Sequence, residues 1–198
     1  AVNGVQLAIH AMDMMRQQVR PESRIGTWII AGGTASNVIP DFGELEVTVR
    51  HTEREYLNGL SEQIKKIFEG AALCTGTTVD IEFYGNPYDD MNQNHRGTVL
   101  IEDVMTDMDI DFKPGPADIG GSSDIGNVSY QCAAFHPKLR LAGEDKVCHS
   151  KEFAAAMLEP TIEQTIVDGA NIIGRTLLRL VENPAVLEEI VAEFNATK

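Results

Sequence analysis

The chain has 198 residues, 43% of them apolar, and its 16 Lys and Arg against 30 Asp and Glu leave a formal net charge of −14. That length holds one large or two small domains with real cores, and the acidic balance without any basic run argues against a nucleic-acid partner, whose phosphates demand clustered Lys and Arg. No apolar run reaches the roughly 20 residues that a membrane span requires, and no signal peptide opens the chain.

From Ala1 to Val19 the residues Val2, Val5, Ala8, Ile9, Met12, Met15 and Val19 recur at three- and four-residue steps, which predicts a helix that Pro21 stops. Arg16, Arg20 and Arg24 share helical spacing and read as a solvated face. Residues 24–31, rich in β-branched and aromatic side chains and bounded by Gly32-Gly33, read as a strand. Residues 44–50 alternate, with Leu45, Val47 and Val49 on one side and Glu46, Thr48 and Arg50 on the other, as in a half-buried antiparallel strand. A second amphipathic helix is expected over 53–74, with Tyr56, Leu60, Ile64, Ile67, Phe68 and Leu73 as its buried stripe and Gly76 as its cap. Val79, Ile81 and Phe83 then predict another alternating strand over 77–83. The order helix, strand, strand, helix, strand is a split β-α-β unit short of its first strand, so residues 1 to about 84 should form a two-layer sandwich with one edge open.

Residues 85–94 are dense in Asn, Asp, Pro and Gly and mark a boundary between modules. A helix is expected over 96–108, and a loop through Pro114, Gly115 and Pro116 leads into a Gly120-Gly121 turn. A short helix over 124–129, a buried strand over 131–135 and a long helix over 160–181 follow. Pro184 suits the first turn of a last helix carrying Leu187, Ile190, Val191 and Phe194. This module has few strands for its helices, which implies a partner piece that supplies more.

The chemistry-bearing residues are sparse. The stretch Gly120, Gly121, Ser122, Ser123, Asp124 offers bare backbone N–H groups and two hydroxyls, which suits a carboxylate; the plainer alternative is a tight turn in which Asp124 caps the next helix. His149, between Cys148 and Ser150 at the mouth of a helix, can be read as a metal ligand, a general base or a helix-terminal decoration. One His without a second His or Cys at ligand spacing cannot make a metal site. Cys148 has no activating base beside it and reads as inert. Cys74, Cys132 and Cys148 are an odd, scattered set, which speaks against a disulfide framework and for a reducing cytoplasm. Within Ser36-Asn37-Val38-Ile39-Pro40, Asn37 either aims its amide at a ligand or accepts an unusual backbone angle in a turn. His136, before Pro137, is a weaker candidate, and His10 belongs on the polar edge of the first helix.

Taken together, these segments resemble the aminoacylase and amidohydrolase family of metallopeptidases, which includes glutamate carboxypeptidases and p-aminobenzoyl-glutamate hydrolases. The residues that carry the resemblance are Gly-Gly-Thr-Ala-Ser-Asn-Val-Ile-Pro-Asp (Gly32 to Asp41) with the strand ending in Arg50, Gly-Ser-Ser-Asp-Ile-Gly-Asn-Val-Ser (Gly121 to Ser129), His136-Pro137, and Cys-His-Ser-Lys-Glu-Phe (Cys148 to Phe153). The resemblance implies an α/β (α+β) chain. Residues 1–90 would be a ferredoxin-like lid and dimerisation domain lacking its first strand, and 91–198 the C-terminal portion of an α/β zinc-peptidase catalytic domain. It makes His149 a metal ligand, Asn37 the lid amide that contacts substrate, and Gly121, Ser122, Ser123 and Asp124 the loop that receives the substrate carboxylate. The implied reaction is metal-dependent hydrolysis of the amide bond of an N-acyl amino acid or dipeptide, with two divalent ions, zinc, in the intact homodimeric enzyme. The family's His-x-Asp segment, bridging Asp and Glu-Glu pair are not in the chain and would precede Ala1, so it is expected to be inactive alone and to hold no metal stably. Tyr84-Gly85-Asn86-Pro87 stands where several relatives carry an Arg for a substrate carboxylate, which speaks against selectivity for an acidic side chain. Two competing readings are a non-catalytic dimerisation module joined through the strand over 24–31, and a one-domain enzyme using Cys148 and His149.

Overall fold

A computed structural model describes residues 1–114, 121–141 and 147–197. The chain divides into two compact units, Ala1–Asp90 and Met91–Lys198. Helices combine with a small antiparallel sheet, an α+β composition. No described helix is long and apolar enough to cross a membrane.

In the first unit, α1 (Val2–Met15) and α2 (Arg54–Thr75) cover one face of a two-stranded sheet of β1 (Arg24–Ala31) and β2 (Glu44–Arg50). The strands pair antiparallel from Arg24↔Arg50 to Ala31↔Glu44, with an irregularity between Ile29 and Ala31 that takes up Ile30 as an extra residue. The period of two sends Leu45, Val47 and Val49 with Ile25 toward the helices, where Met12, Leu60 and Ile64 are buried. α2 ends as its sequence demands. Gly76 takes the left-handed conformation (φ 65°), which a residue without Cβ adopts at no steric cost, and the Thr77 N–H donates to the Ala72 carbonyl.

Three expectations need correction here. α1 stops at Met15 rather than Val19, and residues 16–19 continue as turns, with Gln18 N–H donating to Met15 O at 2.9 Å. Leu73 is 84% exposed, outside the buried stripe. Residues 77–83 keep their alternating pattern but form no strand, because a strand needs a neighbour to take its N–H and C=O groups and no third strand joins β1 and β2 among the described residues.

The second unit comprises α3 (His95–Asp107), α4 (Ile125–Ser129), α5 (Lys151–Ala156), α6 (Thr161–Glu182) and α7 (Pro184–Ala196) among the described residues. Its core joins Ile101, Val104 and Met105 of α3 to Ile172 of α6, with Phe135 and Leu139 packed against them. Residues 131–135 are a turn and an irregular stretch rather than a strand; Phe135 is held by packing on α3 and no ladder partner is present among the described residues. Buried Asn94 caps α3 by accepting from Gly97 N–H at 2.9 Å, and its amide donates to Ile190 O of α7 at 2.9 Å. The Glu193 carboxylate of α7 accepts from the His95 and Arg96 N–H groups at 2.7 and 2.8 Å, placing a negative charge at the positive end of α3. Pro184 opens α7 at its first turn.

Candidate functional site

Asn37 lies in the loop between β1 and β2, exposed, within a turn closed by Val38 N–H donating to Ala35 O at 3.3 Å. The unusual backbone angle belongs to Gly33 (φ 115°) and not to Asn37, which corrects the turn alternative for that residue. A Cβ on Gly33 would meet Pro40 Cγ at 2.6 Å, so the two ends of the loop approach closely because Gly33 has none.

In the second unit Gly121 and Ser122 are exposed and Ser123 is half-buried just before α4; Gly120, Gly115 and Pro116 lie outside the described residues. Asp124 takes the cap position, but its side chain makes no capping hydrogen bond. Ser123 does that work instead, its Oγ accepting from Ile125 N–H at 3.4 Å and its carbonyl from Gly126 N–H at 3.3 Å. The expected capping role therefore moves from Asp124 to Ser123. Behind the loop, Ser129 is fully buried; its hydroxyl donates to Gly126 O at 2.6 Å and accepts from Asn92 N–H at 2.8 Å. This anchors α4 to the start of the unit.

His149 is exposed and sits in the left-handed region (φ 65°), a conformation that costs a side-chain-bearing residue about 1–3 kcal/mol. Ser150 follows as the cap of α5, accepting from Phe153 N–H at 3.0 Å. The left-handed residue and the cap together hold the imidazole at the mouth of α5. Cys148 is free and exposed beside it, as are Cys74 and Cys132. His136 is exposed in an irregular segment, and His10 is exposed on α1. No three His, Cys, Asp or Glu side chains converge as a metal site among the described residues. One imidazole does not fit a metal pair, so these residues by themselves do not make a metal centre.

A groove of ≈ 380 Å³ opens where α3, α6 and the start of α7 meet, lined by Arg96, Leu100, Asp103, Arg179, Glu182, Asn183 and Val186. None of the residues singled out from the sequence lines it. Its two cations are paired, Arg96 with Glu189 and Arg179 with Asp107. Sequence reasoning also passed over His51, whose side chain is 1% exposed. The signal was present: His51 follows β2 with the same parity as Val47 and Val49, on the helix-covered side.

No family model matches the chain. It is 28% identical over 197 residues to the Xaa-Arg dipeptidase of Mus musculus, covering 98% of this chain and 46% of that protein. It is 28% identical over 203 residues to the Xaa-Arg dipeptidase of Homo sapiens, covering 98% of this chain and 45% of that protein. A third similarity, 30% identity over 115 residues, is to the N-acetyldiaminopimelate deacetylase of Leuconostoc citreum (strain KM20), covering 57% of this chain and 30% of that protein. The chain thus spans about half the length of the two dipeptidases it matches. These relatives, a pair of dipeptidases and a deacetylase, support an amidohydrolase or peptidase family for the chain.

Proposed function

We propose that the chain is part of a metal-dependent amidohydrolase or peptidase that cleaves the amide bond of an N-acyl amino acid or a dipeptide, and that it is inactive by itself. The observation that carries this reading is similarity along 98% of the chain to two Xaa-Arg dipeptidases. Residues 1–90 act as a ferredoxin-like lid and 91–198 as the C-terminal portion of the catalytic domain. Asn37 offers its amide to the substrate, and the Gly121, Ser122, Ser123 and Asp124 loop receives the substrate carboxylate. His149 serves as a ligand to one of two divalent ions, zinc, whose remaining ligands and general base come from outside these 198 residues. In a reducing cytoplasm Cys74, Cys132 and Cys148 stay thiols. The test compares this chain, with zinc, and a polypeptide of the relatives' full length that contains it, both assayed on Xaa-Arg dipeptides and N-acetyl amino acids. Turnover by the longer polypeptide alone is expected, since a missing metal set and base forfeit many factors of ten in rate. Turnover by the 198-residue chain overturns its assigned inactivity, and no turnover by either overturns the functional reading.

The lid also carries the partner proposal, a homodimer joined through it, and the alternative that the chain is only a dimerisation module. In its favour, β1 pairs on one side only, with β2, among the described residues, and exposes Trp28 (64%), Ile29 (44%) and Ile30 (45%). Sedimentation at micromolar concentration should give a dimer that Trp28→Glu dissociates. A monomeric wild-type chain rules the interface out.

A further inference from the structure

In the second unit, α6 carries more apolar surface than its neighbours cover. Ile162, Ile172 and Thr176 are its buried residues, and Ile172 joins the core made by Ile101, Val104 and Met105 of α3. Ile166, Val167, Ile173, Leu177, Leu178 and Val181 stay 50–78% exposed. At about 100° per residue these six fall within one arc of about 140°, about 22 Å long, beside the buried face. Ala170 and Gly174 lie inside the same arc, and a Cβ on Gly174 would meet no neighbouring atom within 4 Å. Between Ile166 and Val181 the arc holds no charged side chain; Gln164, Asp168, Asn171, Arg175 and Glu182 gather on a strip of their own.

A surface helix keeps one apolar stripe and a polar back, whereas a helix that is apolar on both flanks belongs inside a larger core. Contiguous apolar patches of this breadth mark surfaces that another polypeptide covers. The lack of charge fits a permanent, core-like contact and not a transient one.

The similarity to the two dipeptidases points to the occupant. It runs along 98% of this chain, α6 included, yet fills only 46% and 45% of those proteins. In each of them the matched segment is accompanied by more polypeptide than it contains itself. A second copy would instead bring together two chains of net charge −14 over a patch with no charge to offset their repulsion.

We propose that the exposed face of α6 is the seam on which further polypeptide of the same protein, outside these 198 residues, lays an apolar layer. α6 then lies between that layer and α3, buried on both flanks. The seam rests on the reading of the chain as part of a longer amidohydrolase and names the surface through which the parts join.

The experiment is hydroxyl-radical footprinting of the 198-residue chain and of a polypeptide of the relatives' full length that contains it, both unmodified. Ile173, Leu177 and Val181 should oxidise about tenfold more slowly in the longer polypeptide, the drop from a surface to a core side chain. Leu177→Glu should move the thermal midpoint of the 198-residue chain by less than about 2 °C and lower that of the longer polypeptide by about 10 °C, since only there is the charge buried. Equal oxidation of the face in both polypeptides overturns the seam. So does protection in the 198-residue chain alone that grows with its concentration and is lost with Leu177→Glu, which assigns the face to a second copy. The footprint needs no variant, so it stands if Leu177→Glu keeps the longer polypeptide from folding. It is also independent of turnover: an inactive longer polypeptide with the face protected keeps the seam and overturns the activity, and an active one with the face oxidised does the reverse.

Discussion

Replacing Gly97 with alanine should lower the stability of the second unit by about 2–3 kcal/mol, although alanine is the better helix former by about 1 kcal/mol. Gly97 lies in the first turn of α3, where a Cβ would fall 1.7 Å from Phe135 Cε1, 2.3 Å from Cζ and 2.5 Å from Cδ1. Three ring atoms overlap the added methyl, so no rotation of the ring about its own axis relieves the contact. The ring must leave, and it packs against the core of Ile101, Val104, Met105 and Ile172. Removing a buried Phe ring typically costs about 3–5 kcal/mol, and partial retention of its contacts brings the net below that. Urea unfolding of the single and double variants decides the matter. With Phe135→Ala in place, Gly97→Ala should become neutral or mildly stabilising; a Gly97→Ala chain as stable as wild type would show that the ring moves aside freely.

Leu60→Ala should cost the first unit about 3 kcal/mol, while Leu73→Ala on the same helix should change stability by less than about 0.5 kcal/mol. Leu60 is 2% exposed and buried with Met12 and Ile64, whereas Leu73 is 84% exposed. Truncating Leu60 removes apolar contacts and leaves a cavity between α1 and α2; truncating Leu73 returns surface to water that was already there. The difference follows from geometry. Thirteen positions along α2 turn Leu73 about 220° around the axis from Leu60, while Ala71 returns to about 20°. Equal losses in thermal or urea unfolding would place Leu73 inside a packed interface.

The Leu73 error shows how far apolar character can stand in for a position on the wheel. On α6, Ile162, Ile172 and Thr176 are buried, yet Ile166, Ile173, Leu177 and Val181 are 58–78% exposed. The sequence shows that this helix is apolar on several sides; which side is covered depends on α3 and α7. The candidate site was legible to a similar depth. Its residue types and loops could be picked out, because glycines, caps and turn residues act locally. The capping role of Ser123 in place of Asp124, the left-handed backbone at His149 and the burial of His51 could not, since each follows from how a segment is closed by its neighbours.

What the amino-acid order determined alone is what short-range sterics and side-chain period decide: the limits of β1 and β2, the left-handed stop of α2 at Gly76 and the start of α7 at Pro184. The tertiary structure decided everything that needs a second segment. Residues 77–83 have a strand's alternation but no ladder, residues 131–135 give a ring to α3 instead of a strand to a sheet, and Asn94 ties α3 to α7 across the chain. A backbone hydrogen bond or a buried face is a relation between two pieces of chain, and a pattern within one of them specifies only half of it.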